Sequence, residues 1–412
     1  QRDTDPVSEP MPEGYSVRAV QCDHRANDEQ VYEALVRATT PLTRTWEKLQ
    51  KASRIALKFN MGHRDVHRYA GRRRELVDDA VARAVLRLLR ERTSATLVAS
   101  DTHGRDASGN HTNYLNYLSM LQEFDVEYDE SNLPPFAEYD VPGGGYMFSR
   151  YTLSSCFRDA DEVVSVAKMK NHLFMGLTLC TKNLFGLTPT IPPEGRVRSY
   201  YHHAIRLSYV LPDLARITNP CLNVIDALTG QWGKEWDGEG RISNALIAGD
   251  QIVATDAVGA HLMGHDPTLD WPTPPFRRDR NHLLVAAQGG FGTVDLDEID
   301  FDSEVEAPLS EFDSVQQDPP AHMATVRETA CEQGLFYRDK RKEMIDRYGG
   351  DFIYLQDGEV KWSGPDPSHI SSHRDFTGKK PGSALFLKYV DPEEHEGEHF
   401  EAYEDCLQRL RA

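Results

Sequence analysis

The chain has 412 residues, of which 39% are hydrophobic and 27% charged, and its formal net charge is -19 at pH 7. This composition is typical of a soluble globular protein with one elaborated domain or two. The acidic balance argues against a nucleic-acid-binding protein, which needs clustered positive charge. No apolar run approaches the roughly 20 residues of a membrane-spanning helix, so we expect no membrane span.

The beginning of the chain predicts an extended arm over residues 1–20. Residues 1–13 carry three prolines and five charges without periodicity, a pattern typical of a loosely held terminus. The first residue is Gln1 rather than methionine, which the removal of an export signal would explain. We therefore expect an exported or periplasmic protein, with a cytoplasmic location as the alternative.

Six cysteines lie far apart and form no C-x-x-C pair: Cys22, Cys156, Cys180, Cys221, Cys331 and Cys406. This spacing disfavours a cysteine zinc site and a ferredoxin-type cluster. Free cysteine is among the most buried residue types. We therefore expect buried thiols, no disulfide and no iron–sulfur cluster.

Strands and helices alternate from residue 29 to residue 288, which predicts an α/β fold with a mainly parallel sheet and helices on both faces. Short apolar runs predict strands at Arg54–Asn60, Ala95–Asp101, Val126–Tyr128, Glu162–Lys168, Cys221–Asp226 and Asn244–Ala248. Helical spacing predicts helices at Glu29–Lys51 (interrupted near Pro41), Leu76–Leu88, Tyr114–Phe124, His203–Ile217, Gln251–Leu262 and His282–Gln288.

The composition changes after about Gly292, so we expect a core domain at 21–292 and an acidic α+β appendage or cap at 293–412. Within the appendage, acidic residues 295–318 predict surface loops, and 323–348 predict a helix. The segment Phe352–Trp362 predicts a hairpin, because Asp357-Gly358 is a favoured two-residue turn. Ser383–Tyr389 predicts a last strand.

Polar residues follow the predicted strands where they end: Lys58 and Asn60, Asp101 and His103, Lys168 and Lys170, Asp226, and Gly249-Asp250. Parallel strands place their carboxyl ends at one edge of a sheet, where ligands of such folds bind. We therefore expect these side chains to converge. The alternatives are local: Lys58 can reach water from a strand end, and Asp101 with His103 can cap the following loop.

The stretch 163–189 carries the densest group of candidate residues. Lys168, Lys170, His172, Lys182 and Asn183 follow an apolar run within a few positions of each other. Buried lysine is costly unless it is paired, so these lysines predict an anion-binding site. The alternative is structural pairing with Asp226 or Asp256. Further along, His202-His203 follows two tyrosines and is read equally well as a cap, a surface feature or part of the site.

No standard nucleotide, hydrolase or zinc-protease motif is present. The segments VVSVAKMKNH, TKNLFGL, YHH, CLNVIDAL and LIAGDQIVATDAVGAHLMGHDP nevertheless resemble the domain-of-unknown-function 362 family over about Arg54–Gly292. The resemblance supports as site residues Lys58, Asn60, Asp101, Lys168, Lys170, His172, Lys182, Asn183, His202 or His203, Asp226 and Asp256.

The chain departs from the pattern of that family in two places. Phe59 stands where the family usually has proline, and Asn171 stands where a threonine or serine often precedes the histidine. Many members also carry a ferredoxin segment, which this chain lacks, and an export signal, which fits a start at Gln1. The family name assigns no reaction.

These residues predict an enzyme that acts on a small anionic substrate such as a carboxylate, a sugar acid or a phosphorylated compound. Lysines would hold the anion, and His172, Lys170 and Asp101 would supply acid–base chemistry, as in an epimerase or isomerase. A divalent metal held by Asp101, His103 or Asp226 would make the reaction metal-assisted. The alternative is a non-catalytic component that binds an anion or cofactor within a homo-oligomer or larger assembly.

Overall fold

The computed structural model describes residues 14–62, 66–102, 117–189, 198–367 and 386–411. The strands are β1 (Tyr15–Gln21), β2 (Arg54–Phe59), β3 (Arg68–Tyr69), β4 (Arg72–Arg73), β5 (Thr96–Asp101), β6 (Glu127–Glu130), β7 (Phe136–Asp140), β8 (Arg150–Ser154), β9 (Glu162–His172), β10 (Gly176–Thr178), β11 (Leu222–Trp232), β12 (Glu239–Gly249), β13 (Ile299–Ser303), β14 (Phe352–Gln356), β15 (Glu359–Gly364) and β16 (Phe386–Tyr389).

The helices alternate with these strands along the chain. They are α1 (Asp28–Thr39), α2 (Thr43–Lys51), α3 (Asp79–Arg92), α4 (Leu118–Glu123), α5 (Cys180–Asn183), α6 (Arg198–Tyr201), α7 (Leu207–Thr218), α8 (Ile252–Leu262), α9 (His282–Gln288), α10 (Pro320–Asp339), α11 (Arg341–Tyr348) and α12 (Glu401–Arg411). No helix in the described ranges is both long enough and apolar enough to cross a membrane.

A mainly parallel sheet forms the centre of the fold, as the alternation of elements predicts. Its strand order is β13-β1-β12-β11-β9-β2-β5-β6, and β10 pairs with β9 beside this path. The run from β11 through β9, β2 and β5 to β6 is parallel, whereas β12 is antiparallel to both of its neighbours. The α/β fold class is therefore confirmed.

Side chains that alternate along the strands pack on opposite faces of this sheet, and each face has its own hydrophobic cluster. In β9, Val164 and Val166 join the cluster that contains α1 and α3 residues, whereas Ala167 and Met169 join the cluster that contains α7 and α8 residues. This division follows from the two-residue period of a strand. Helices therefore cover both faces, and the strands between them are buried.

The N-terminal arm prediction is wrong for Tyr15–Val20. These residues belong to β1, which lies inside the sheet between β12 and β13. The segment YSVRAVQ places Val17 and Ala19 on one buried face, an alternation typical of a strand. The preceding residues 1–13, also predicted as part of the arm, lie outside the described residues.

The central sheet also includes a strand that lies beyond the predicted domain boundary at residue 292. β13 lies in the acidic segment 295–318, predicted as loops, and pairs in parallel with β1. The predicted helix over 323–348 is divided into α10 and α11 at Lys340. The predicted hairpin is confirmed as β14 and β15, with positive φ at Asp357 and Gly358 in its turn.

The C-terminal elements pack against the core through a buried cation. Arg206 precedes α7, and its guanidinium donates to Leu387 O at 2.7 Å and to the Tyr403 hydroxyl at 3.0 Å. It also pairs with Glu398 at 3.4 Å. The six cysteines are buried free thiols, as predicted.

Three of the predicted strand ends lie elsewhere than expected. β9 and β11 are each 11 residues long and extend past their predicted ends. Lys168, Lys170 and Asp226 therefore lie within strands instead of at or after their ends. β12 runs antiparallel to β11 with Gly249 opposite Asn223, which places Gly249-Asp250 at the other edge of the sheet. Asp250 pairs there with Arg44 at 2.7 Å. The expectation that Gly249-Asp250 joins the site is therefore wrong.

Candidate functional site

A cavity of about 140 Å³ opens at the carboxyl ends of β2 and β5, against the end of β9. Residues from five separate parts of the chain form its wall. They are Lys58, Asn60, Gly62, Asp101, Thr102, Lys170, His172, Thr178, Lys182, Asn183, Gly186, His202, Glu235 and Trp236. Most of the predicted substrate-binding and catalytic residues therefore meet in one place, at the sheet edge that the strand ends predict.

Lys58 and Asp101 form a buried ion pair in this wall. The Nζ atom of Lys58 lies 3.1 Å from Asp101 Oδ1 and donates to Asn183 Oδ1 at 2.9 Å. Asp101 also accepts from the backbone N–H groups of Thr102 at 2.8 Å and Gly62 at 3.0 Å. Because each charge has a partner, this pair holds the ends of β2 and β5 together.

Asn183 joins β2 to β9 beneath the cavity. Its amide nitrogen donates to Lys58 O at 2.9 Å and to Val166 O at 3.2 Å. The turn after it must come very close to the ion pair, and Gly186 makes this approach feasible. A Cβ on Gly186 would lie 2.3 Å from Asp101 Oδ1 and 2.8 Å from Lys58 Nζ, so any larger residue there would displace the ion pair.

Lys168 lies outside the cavity wall, although it was predicted as a substrate ligand. Its Nζ atom lies 3.1 Å from Asp226 Oδ2 and 3.2 Å from Thr229 Oγ1, and neither Lys168 nor Asp226 is exposed. Asp226 also accepts from the Asp78 backbone N–H at 2.7 Å, next to the start of α3. The structural alternative therefore describes Lys168 and Asp226 better than a role in ligand binding.

Lys170 lines the cavity, and no carboxylate of the described residues lies within ion-pair distance of its Nζ atom. Its Nζ atom donates to the backbone oxygens of Glu75 at 2.8 Å and Glu235 at 3.2 Å, and lies 4.0 Å from the centre of the Trp236 ring. Burial lowers the pKa of the Lys170 amine to about 7; the carboxylates of Glu75 and Glu235 oppose this shift, and nearby lysines add to it. At neutral pH a large fraction of this amine is therefore uncharged.

His172 is a neutral imidazole with a fixed proton position. Its Nδ1 atom accepts from the backbone N–H groups of Phe174 at 3.0 Å and Met175 at 3.2 Å. Burial lowers the pKa of His172 well below its ordinary value, and the charge of Lys182 adds to this. Because Nδ1 is an acceptor in a neutral ring, Nε2 carries the proton. That Nε2 atom lies 3.8 Å from Glu235 Oε1.

The far wall of the cavity combines cations with aromatic rings. Lys182 Nζ lies 4.8 Å from the centre of the Phe185 ring, and the His202 ring lies 6.1 Å from that of His172. Of the two adjacent histidines, the structure places His202 in the wall. His203 instead interacts with Ala204 O at 2.9 Å and packs against Phe386.

Two polar oxygens in the wall have no hydrogen-bond partner among the described residues: Thr178 Oγ1 and Asn60 Oδ1. Thr178 is only 5% exposed. It pairs with Lys170 in the antiparallel ladder of β9 and β10, so the two side chains are neighbours on one face. A buried hydroxyl without a partner costs free energy unless a bound molecule satisfies it.

Asp256 positions the short helix that carries Lys182. Its carboxylate accepts from the backbone N–H groups of Cys180 at 2.8 Å and Thr181 at 2.6 Å. Burial raises the pKa of Asp256 to about 7, and these two hydrogen bonds limit the shift. Asp256 does not line the cavity, so its role is to orient α5 and hold Lys182 and Asn183 in the wall.

Two of the three proposed metal ligands, Asp101 and Asp226, form ion pairs with different lysines. Asp101 faces Lys58 and Asp226 faces Lys168, while His103 lies outside the described residues. In the described ranges, the group of three potential ligand side chains within 4.8 Å of one another is His67, Glu75 and Asp237. In that group, His67 Nδ1 lies 2.9 Å from Glu75 Oε2, a hydrogen bond that accounts for their proximity.

Sequence reasoning missed Glu235, Trp236 and Thr178 as parts of the wall. Glu235 and Trp236 belong to the loop between β11 and β12, and Glu235 Oε2 accepts from the Leu173 N–H at 2.9 Å. The acidic, glycine-containing composition of this loop indicates a segment that can fold over the sheet edge, but not which side chains it delivers. No sequence pattern marks Thr178 as a site residue, because its place in the wall depends on the pairing of β10 with β9, where it lies opposite Lys170.

Comparison with known proteins agrees with the resemblance seen in the motifs. The chain is 28% identical over 162 residues to the thylakoid-associated protein sll1697 of Synechocystis sp., an alignment that covers 37% of this chain and 46% of that protein. This chain therefore spans less than half the length of that relative. The family described as a domain of unknown function, DUF362, matches residues 55–261, which is just over half of the chain. The chain belongs to the DUF362 family.

Proposed function

We propose that this protein is an enzyme that transfers a proton next to the carbonyl or carboxylate group of a small organic anion. The observation that carries the proposal is the pairing, in one buried cavity, of Lys170, whose pKa is about 7, with a neutral His172 that presents Nε2–H. A catalytic acid or base works best when its pKa lies near the operating pH. Lys170 meets this condition at neutral pH.

The charge of the wall supports an anionic substrate. Lys170 and Lys182 both line the cavity, and the Lys58–Asp101 pair is balanced by itself. A carboxylate on the substrate would be attracted to an ammonium group in this wall. The protonated Nε2 of His172 would donate to a substrate oxygen and stabilise the negative charge that develops there.

The size of the cavity supports a small substrate. A volume of about 140 Å³ leaves room for a small organic anion. Simple carboxylates are the smallest of the three substrate classes expected from the sequence, so we test them first.

Hydrogen–deuterium exchange tests the proposal directly. Two- to four-carbon 2-hydroxy and 2-oxo acids are incubated with the protein in D₂O, and loss of the C–H signal is followed by NMR. We expect exchange with the wild-type protein and at least a ~100-fold loss in Lys170→Met, since acid–base groups contribute about that much. Lys340→Met, at an exposed lysine, is the matched control and should exchange at the wild-type rate.

The alternative is a binding component without turnover, and the same samples distinguish it. Trp236 lines the cavity, so binding should change the intrinsic fluorescence, and Trp236→Phe should abolish that change. Saturable binding without exchange of any acid would reject the enzyme and support the binding component. The expected export and oligomeric state stay predictions.

A further inference from the structure

We propose that Lys170 acts as a nucleophile that forms an imine with a small 2-oxo acid, while the Thr178 hydroxyl hydrogen-bonds the carbonyl oxygen under attack. The inference rests on the proposed function and names the substrate class of the same cavity. It also changes the role of Lys170 from a group that only exchanges a proton to one that bonds to the substrate.

The contacts of Lys170 suit a neutral amine with an available lone pair. An uncharged amine has two N–H bonds, and Lys170 has two carbonyl acceptors, Glu75 O at 2.8 Å and Glu235 O at 3.2 Å. The lone pair therefore takes a remaining tetrahedral position on the nitrogen. The lowered pKa of Lys170 supplies this uncharged form near neutral pH, which is the form that reacts with a carbonyl carbon.

The other two lysines near the strand ends each face a carboxylate. Lys58 lies 3.1 Å from Asp101, and Lys168 lies 3.1 Å from Asp226. A carboxylate at this distance favours the ammonium form, which has no lone pair. Of these three lysines, Lys170 is therefore the one whose surroundings permit nucleophilic attack.

Thr178 provides the second, independent observation. It is Lys170's partner across the β9–β10 ladder, it is buried, and its hydroxyl has no partner among the described residues. A substrate carbonyl whose carbon meets Lys170 would bring its oxygen toward the side chain next to that lysine. The Thr178 hydroxyl would donate to this oxygen as negative charge develops on it.

The reaction balances without an oxidant or reductant. The Lys170 lone pair forms a C–N bond while the carbonyl π electrons move to oxygen, giving a carbinolamine after proton transfer. Loss of that oxygen together with two hydrogens, which come formally from the amine, gives the imine and one water molecule. The face of Trp236, 4.0 Å from Nζ, would stabilise the protonated imine, since cations are attracted to aromatic faces.

Reductive trapping tests this proposal. The protein is incubated with pyruvate and sodium cyanoborohydride, digested, and mapped by mass spectrometry for reduced adducts on lysine. We expect the adduct at Lys170 at least ~10-fold above the exposed Lys340, and none at that position in Lys170→Arg. Thr178→Val should slow trapping about tenfold, the effect of losing one hydrogen bond of about 1.4 kcal/mol, and Thr178→Ser should restore it.

The outcomes separate this inference from the proposed function. Trapping spread over exposed lysines and absent from Lys170 in folded protein overturns the imine, because the mapping on the wild-type chain needs no variant to fold. If Lys170-dependent deuterium exchange occurs without an adduct at Lys170, the proposed function stands and the imine is rejected. An adduct at Lys170 without exchange of any acid supports the nucleophile and rejects the proton-transfer function.

Discussion

Lys168 Nζ lies 3.1 Å from Asp226 Oδ2, and both side chains are completely buried. Two residues further along the same strand, Lys170 donates hydrogen bonds to the backbone carbonyl oxygens of Glu75 and Glu235. The two lysines thus lie on one face of the same strand but have different partners. The first forms a buried ion pair, whereas burial lowers the pKa of the second to about 7.

Lys168→Met should lower the free energy of unfolding without directly changing ligand binding in the cavity. It would leave Asp226 buried without its cation, a change that typically costs about 3–5 kcal/mol. Urea denaturation should show this loss, and the double variant Lys168→Met with Asp226→Asn should recover part of it. A Lys168→Met protein with unchanged stability and weakened ligand binding would place Lys168 in the functional site instead.

The pH dependence of stability should change when Lys170 is removed. The folded-state pKa of about 7 lies below the ordinary value of 10.5, so the unfolded chain binds the proton more tightly. Between pH 7 and about 10 the unfolded state therefore holds more protons, and stability rises with pH through this window. Below pH 7 both states are charged, and the cost of burying the ammonium group is fully present.

The comparison of wild type with Lys170→Met isolates this effect, because other groups cancel in the difference. The free energy of unfolding should rise more steeply with pH in the wild type between pH 7 and 10, by at most ~5 kcal/mol in total. Equilibrium denaturation at several pH values measures it. Parallel curves for the two proteins would show that Lys170 keeps an ordinary pKa.

Asp256→Asn should weaken both the fold and the site. An amide offers one acceptor oxygen where the carboxylate accepts two backbone N–H groups, from Cys180 and Thr181. Leaving one of them unsatisfied costs about 1–3 kcal/mol. Because Asp256 orients the helix that carries Lys182, carboxylate binding measured by Trp236 fluorescence should fall as well.

The cost of Asp256→Asn should itself depend on pH. The pKa of Asp256 is raised to about 7 in the folded protein, so between about pH 4 and 7 the folded state holds the extra proton. Wild-type stability therefore falls through this window as pH rises, relative to the asparagine variant. The destabilisation should be larger at pH 5 than at pH 8. A difference that is constant over this range contradicts the shifted pKa.

Gly186→Ala should break the Lys58–Asp101 pair. The added Cβ would meet Asp101 Oδ1 at 2.3 Å and Lys58 Cε at 2.7 Å, distances that require the ion pair to move. We expect a loss of about 1–3 kcal/mol, the usual cost of overpacking, measured by thermal or urea unfolding. Gly14→Ala is the control, since its Cβ would meet only Glu298 O at 3.8 Å. Equal effects of both changes would argue against a steric requirement at Gly186.

Much of the architecture could be predicted from local patterns in the chain. Apolar runs separated by amphipathic helices required a covered, mainly parallel sheet, and polar residues after these runs indicated where the site would be. Lys58, Asp101, Lys170 and His172 do meet there. These predictions succeed because strand length, side-chain alternation and the direction of parallel strands depend on neighbouring residues.

Other features depended on partners distant in the chain. β1 lacks a long apolar run, and its place in the sheet depends on pairing with β12 and β13, more than 220 residues away. The antiparallel direction of β12 likewise places Gly249-Asp250 at the edge of the sheet opposite the cavity. Strand order and direction are set by the packing of whole elements, which no local pattern records.

The sequence alone determined that several lysines and a histidine would gather at the end of a buried strand, because the charges follow the apolar run directly. Only the tertiary structure decided which lysine is paired with a carboxylate and which lines the cavity. Asp226 reaches Lys168 from the adjacent strand, whereas carbonyl groups of Glu75 and Glu235 surround Lys170. A carboxylate stabilises a charged amine more than carbonyl oxygens do, so distant chain segments set the electrostatic surroundings of each lysine.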